Sequence, residues 1–220
     1  LLLLEGRKVL NAIKLLSEQT QTIANGWEPK IRVACDSIID IQPVFTGIAS
    51  VLAEHENIEI DVQEEVMNGS WEALVADRVD LVIGAPEPIP ALEGIRAVKM
   101  GAINLVLVAG ANHELSHMTK PIEASNLTRY RTVVVHDSVR NEIARTVNLI
   151  EGSNHFFVSS IKHKLAAIMA GIGIGYLPKA LILNEIDNGE IMIVDTVEKI
   201  HSQELFLTWK IANKGKGLIK

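Results

Sequence analysis

The chain has 220 residues, enough for one large domain or two small ones. At 48% apolar and 22% charged it is no disordered tail, and a net charge of −6 excludes nucleic-acid binding by bulk electrostatics. Its single cysteine, Cys35, excludes an internal disulfide and suits a reducing compartment.

The opening "LLLLEGRKVLNAIKLL" is too quickly broken by Glu5, Arg7 and Lys8 to serve as a secretory signal, which needs roughly 7–15 apolar residues. No stretch reaches the roughly 20 apolar residues of a membrane span, so we expect a cytoplasmic protein. The chain starts without a methionine, and we expect a segment upstream of it. Residues 1–25 read as a helix. Leu2, Gly6, Val9, Ile13, Leu16, Thr20 and Ile23 step alternately by four and three, a heptad seam closed by Asn25-Gly26. So narrow a seam suits an intermolecular coiled coil; packing on its own domain would use the same stripe.

Beyond Pro29 the pattern changes to strand 30–35, helix 39–55 with Pro43 in its first turns, and strand 58–64. Helix 70–78 follows, with Ser70 as its expected N-cap, and then a buried strand, "VDLVIGA" (79–85). This β-α-β-α-β order predicts a parallel sheet with right-handed crossovers. After the proline-rich turn 85–94 come strand-like runs at 95–100 and 103–109. A second α/β set follows: helix near 121–130, strands 131–137 and 155–160, helix 161–170 and strand 174–178. Helix 179–187 and the runs 189–195 and 203–210 close the chain. Two similar halves are expected, with two crossings between them and hinges near 100–104 and 188–191.

Three motifs invite chemical readings. "HELSH" (113–117) matches the zinc-hydrolase spelling, in which His113 and His117 would share a helix face with Glu114 as base. Pro121 leaves room for about two turns, and Leu115 and Met118 make no apolar stripe, so a polar loop is the expected setting. "GIGIG" (171–175) has the order helix, glycines, strand, the reverse of a dinucleotide fingerprint. Gly171 suits a helix C′ position, and Gly173 and Gly175 suit close packing. His136-Asp137-Ser138 holds triad residue types, but consecutive residues do not face one another in the required relay.

What is left is positional. Open α/β sheets bind ligands at the carboxyl ends of their strands. Those ends carry Asp36-Ser37, Gly84-Ala85, His136-Asp137-Ser138 and Ser159-Ser160. Helix N-termini lie beside several of them, so Ser37, Gly69, Ser70 and Ser160 are candidates to hold a small polar or anionic ligand at free helix N–H groups; for each serine, plain N-capping is the other reading.

The residues resemble the effector-binding portion of LysR-type transcriptional regulators. The resemblance is carried by "EGRKVLNAIKLL", by the run from "IRVACDS" to "DLVIGA", by "LVLVAGANHEL" and by "KLAAIMAGIGIGYLP", in that order along nearly the whole chain. It implies a periplasmic-binding-protein-like α/β fold of type 2: two α/β subdomains around a central cleft, joined by two crossover strands and preceded by a linker helix. The implied division is a linker at 1–26, subdomain I at 29–101 with 191–220, and subdomain II at 102–190. It implies an effector-sensing and oligomerisation region, dimeric or tetrameric, contacting promoter DNA only through a winged helix-turn-helix domain outside these residues. Neither catalysis nor a cofactor or resident metal is expected. Carried over by position, Asp36, Ser37, Asn68, Gly69, Ser70, Trp71 and Gly84 would face the cleft from one side, and His136, Asp137, Ser138, Ser159 and Ser160 from the other. Trp71 either narrows the cleft or belongs to the core. Relatives often have proline where this chain has Glu114, which alone creates the zinc-like spelling. A solute-binding protein of a transport system shares the implied fold and is the alternative; a zinc hydrolase using His113, Glu114 and His117 is a further one.

Overall fold

A computed structural model describes residues 28–91, 93–197 and 201–213. The expected helix over 1–25 lies outside them. Strand β1 (Lys30–Asp36) runs parallel to β2 (Glu59–Glu65) and to β3 (Leu81–Pro86). Between them lie helices α1 (Ile41–Glu54) and α2 (Asn68–Val75). β1 alternates with period two: Ile31, Val33 and Cys35 face one apolar cluster, and Ala34 faces the other with Trp71, Leu74 and Val82. Asp40 caps α1 by accepting from the Gln42 N–H, so Pro43 falls in the first turn, where its missing N–H removes no helical bond.

The runs expected at 95–100 and 103–109 are a single strand, β4 (Ile95–Gly110). Its break at Gly101 is a shift in register, not an end: the ladder with β9 (His201–Lys210) continues on both sides, from Ile95–Lys210 to Leu105–His201. β9 also pairs antiparallel with β3, which extends the first sheet to β2-β1-β3-β9-β4. The far end of β4 belongs to the second half. Val106 and Val108 point to one core there, and Leu107 and Ala109 to the other.

The second half adds α3 (Ala124–Leu127), β5 (Thr132–Val135), β6 (His155–Val158), α4 (Ile161–Met169) and β7 (Gly175–Pro178). It ends with α5 (Leu183–Asp187) and β8 (Ile191–Ile193). β5 and β6 are parallel, β7 is antiparallel to β4, and the Val133 N–H donates to the Ile174 carbonyl to tie β5 to the foot of β7. β8 pairs with Val108–Gly110, within the second half, so the residue 191 at which a return to the first half was expected sits in that ladder. The helix expected near 121–130 shrinks to one turn, because Pro121 precedes it and Tyr130 turns into the core before the strand. The one expected over 179–187 divides into a 3-10 turn (Lys179–Leu181) and α5.

Gly171 stands at φ +75 one residue beyond the α4 C-cap, as the sequence predicted. A Cβ on Gly173 would lie 2.1 Å from the Arg131 carbonyl oxygen, so this glycine lets the loop close on β5.

Candidate functional site

The carboxyl ends of β1 and β5 meet at the seam between the halves, where Asp36 and Val135 line one cavity, the strand-end position at which open α/β sheets bind ligands. A cavity of about 50 Å³ lies there. Asp36, Ser37, Met67 and Pro86 line it from the first half, and Val135, Arg145, Asn148, Lys164 and Tyr176 from the second. Leu105 and Gln203, on the two crossing strands, complete the wall.

Asp36 is buried (3% exposed). Its Oδ1 accepts from the Ile38 N–H (3.1 Å), and its Oδ2 from the Met67 N–H (3.0 Å) and the Ser70 hydroxyl (2.9 Å). These bonds pin Met67 at φ +53, a left-handed conformation unfavourable to a non-glycine residue, at the entry to α2. Burial pushes the Asp36 carboxyl up to about 7 against the opposing pull of the Ser70, Ile38 and Met67 donors. The folded state therefore holds this proton more tightly than the unfolded chain. The stability that Asp36 contributes is greatest below the ordinary carboxylate value of 3.8 and is lost as pH rises through about 7. Asp36→Asn is expected to remove that slope, which is on the order of a few kcal/mol for a shift of this size. Urea unfolding between pH 5 and pH 7.5 measures it; an unchanged slope in the variant would contradict the assignment.

Ser70 is not the N-cap of α2. The helix starts two residues earlier, and Ser70 is fully buried with its hydroxyl donated to Asp36. The α2 N-terminus is capped instead from the other half of the molecule. Asp137 Oδ1 accepts from the Gly69 N–H (3.0 Å) and Oδ2 from the Asn68 N–H (3.3 Å). The same carboxylate accepts from the N–H groups of Val139 (3.1 Å) and Arg145 (2.8 Å), so it organises its own loop as well. Ser138 Oγ accepts from the Val66 N–H (2.8 Å) and donates to Glu65 Oε2. The Glu72 carboxylate accepts from the N–H groups of Arg140 (2.9 Å) and Asn141 (2.7 Å) and pairs with Arg78 (3.0 Å). Burial raises the Glu72 carboxyl, but those donors outweigh it and hold it below the ordinary range. Arg145 Nη1 donates to the Glu87 carbonyl (2.6 Å). Residues 137–145 thus form a latch across the seam, and the helix N–H groups expected to receive a ligand are occupied by the protein's own carboxylate.

The other expected residues spread further. Trp71 is core, 4% exposed, with its indole N–H donated to the Pro86 carbonyl (2.9 Å). Gly84 stands at φ +82 in the irregular stretch between Ile83 and Ala85, where a Cβ would meet Ile39 at 2.5 Å. His136 is exposed and stacks on Phe157 with centroids 4.8 Å apart. Ser159 bonds His163 Nδ1 (2.9 Å), and Ser160 caps α4 by accepting from the His163 N–H (3.2 Å). In "HELSH", residues Glu114–His117 form a 3-10 turn anchored by the fully buried Leu115. His113 Nδ1 accepts from the Leu115 N–H (3.3 Å), and its ring packs edge-on against Tyr130. At three residues per turn, positions four apart do not share a face, so the geometry that gives the zinc motif its meaning is not formed. Among the described residues no three His, Cys, Asp or Glu side chains gather as a metal site.

Sequence reasoning missed Lys164, Arg145, Asn148, Tyr176 and Gln203. For Lys164 a signal was present: Ile161, Lys164, Leu165 and Ile168 keep the i, i+3, i+4, i+7 spacing of a buried stripe, with a lysine in the second place. It is 5% exposed, and burial lowers its ammonium to about 8.

Two α/β lobes on a shared two-stranded ribbon, with a cavity of mixed polar and apolar wall at their strand ends, have the architecture of the periplasmic-binding-protein type. The LysR substrate-binding domain model matches residues 24–213, and the chain belongs to that family of transcriptional-regulator domains. It is 26% identical over 216 residues to the probable HTH-type transcriptional regulator YhaJ of Escherichia coli K12, covering 98% of this chain and 72% of the relative. It is 29% identical to the transcriptional activator AllS of Klebsiella pneumoniae, covering 89% and 72%. In fold it is similar to the regulatory domain of MetR from N. meningitidis (TM-score 0.64, 13% identity, 84% of this chain and 86% of that one). It is also similar to the reduced OxyR2 regulatory domain from Vibrio vulnificus (TM-score 0.63, 14% identity, 84% and 88%).

Proposed function

We propose that this domain senses a small effector held in the seam between its lobes, and that the angle between the lobes carries the signal. The observation behind this reading is the cavity itself, walled by polar groups of both lobes and by both crossing strands. A ligand touching both lobes favours whichever lobe angle presents both sets of donors. Subdomain I comprises 29–101 with the closing strand β9, and subdomain II begins at 102. β8 pairs inside the second lobe, so we assign the return crossing to the stretch after Val194 and the flexing points to the ribbon near Gly101 and His201.

The domain acts as a homodimer or tetramer in the cytoplasm, without catalysis. It reaches promoter DNA through a separate helix-turn-helix domain, because its own charge of −6 disfavours phosphate contacts. Asp36, Ser37 and the latch residues 68–70 and 137–138 govern the effector response, Asp36 and Ser37 as cavity wall and the others by setting the lobe angle.

A thermal-shift screen against a metabolite library tests the reading, since a ligand of the native state raises the midpoint by mass action. Ser37→Phe fills the cavity from the first lobe and is expected to abolish the shift of any true effector. A metabolite that shifts Ser37→Phe as strongly as the parent chain binds elsewhere and refutes the seam as its site.

A further inference from the structure

The second lobe carries a buried cation that the protein does not neutralise. Lys164 is 5% exposed and lines the seam cavity. Among the described residues its ammonium has no hydrogen-bond or ion-pair partner, and burial alone accounts for its altered acidity. Gly175 on β7 lets the side chain reach this place: a Cβ there would stand 2.7 Å from Lys164 Cε and 3.3 Å from Nζ. Buried ammonium groups are found paired, because leaving water is costly without a counter-charge. Asp36 shares the cavity but makes no ion pair with Lys164, and its oxygens are already bonded to Ile38, Met67 and Ser70. The other carboxylates at the seam are engaged elsewhere: Asp137 at the α2 N-terminus and its own loop, Glu65 with Ser138 and Arg78, and Glu72 with Arg78 and the N–H groups of Arg140 and Asn141.

We infer that Lys164 is the anion receptor of the seam, and that the ligand it takes is a small organic carboxylate. This deepens the effector reading above and rests on it. The expected anion position at α2 is filled by the protein's own carboxylate, whereas the position at Lys164 has a charge and no partner. The cavity sets a small acid between the walls of both lobes, with its carboxylate at the Lys164 ammonium.

Sodium acetate is the probe. It is titrated at constant ionic strength against sodium chloride, with sodium sulfate as a parallel series. Two signals are followed, the thermal midpoint and the Lys164 Cε resonance. Acetate is expected to raise the midpoint saturably and to move that resonance. Lys164→Met is expected to fold with a higher midpoint in chloride, since the buried charge is gone. Its acetate affinity should be weaker by at least roughly tenfold, the loss of one charge-assisted hydrogen bond. Lys164→Arg should keep part of the response. An equal acetate response in Lys164→Met overturns the assignment, as does the lack of any response in the parent chain. A response to sulfate without one to acetate overturns the carboxylate class. If Ser37→Phe abolishes acetate binding while Lys164→Met keeps it, Lys164 is refuted and the seam reading stands. If Ser37→Phe binds acetate fully, both fall.

Discussion

Asp137→Asn is expected to lower the unfolding free energy by about 2–3 kcal/mol, the scale of hydrogen bonds to a charged acceptor. The native carboxylate accepts from four backbone N–H groups, two on α2 and two in its own loop. An amide has one oxygen and presents an NH₂ group to donors where the second oxygen stood, so at least one helix N–H loses its partner. The favourable alignment of a full negative charge with the α2 dipole is lost as well. Both lobes keep their own cores, so the seam yields first. Equilibrium unfolding gives the magnitude. Small-angle scattering is expected to give a larger radius of gyration for the variant, and an unchanged radius with unchanged stability would refute the latch.

Gly69→Ala has the larger structural consequence. In an open helix this change stabilises by roughly 1 kcal/mol through lower backbone entropy. Here the new Cβ would lie 1.9 Å from Ser138 Oγ, 2.8 Å from the Ser138 carbonyl carbon and 2.9 Å from Glu65 Oε2. The hydroxyl cannot swing away freely, because it is bonded to both Val66 and Glu65. The carbonyl carbon is main chain. The steric conflict, about 1–3 kcal/mol or more for forced overpacking, outweighs the propensity gain. The expected result is separation of the lobes with α2 intact: unchanged far-ultraviolet dichroism, raised radius of gyration and a lower midpoint. Ser138→Gly is not expected to restore the parent behaviour, since the backbone contact stays. Asp137→Asn and Gly69→Ala break the same contact, so their effects together should fall short of their sum.

The fold was legible because its signals are local. The first β-α-β-α-β run combines short apolar strands with turns rich in polar residues, and each expected element of it appears within a few residues of its place. The reading failed where local and tertiary signals disagree. Gly101 suggested a strand end, but the long ladder with β9 carries β4 through it. The site was less legible for the same reason. Asp36 and Ser37 line the cavity at a strand end, a position visible in sequence. That Asp137 caps a helix 68 residues away is a contact no spacing rule encodes. Ser70 suggested a cap by composition, and the buried Asp36 instead claims its hydroxyl. Lys164 lies away from the polar turns, and its sign in the sequence is a charge inside an apolar helical stripe.

Where the effector enters through the seam, as proposed, the latch also sets the dose at which the domain answers. On the proposed reading, an effector that enters only when the seam opens has an apparent dissociation constant equal to the intrinsic one divided by the open fraction. A latch worth about 3 kcal/mol leaves under roughly 1% of molecules open and weakens apparent affinity more than a hundredfold. On that reading, substitutions at residues 137–141 shift the half-maximal concentration by changing the open fraction. Sensitivity would then be set by the latch and selectivity by the cavity wall, each open to change without the other.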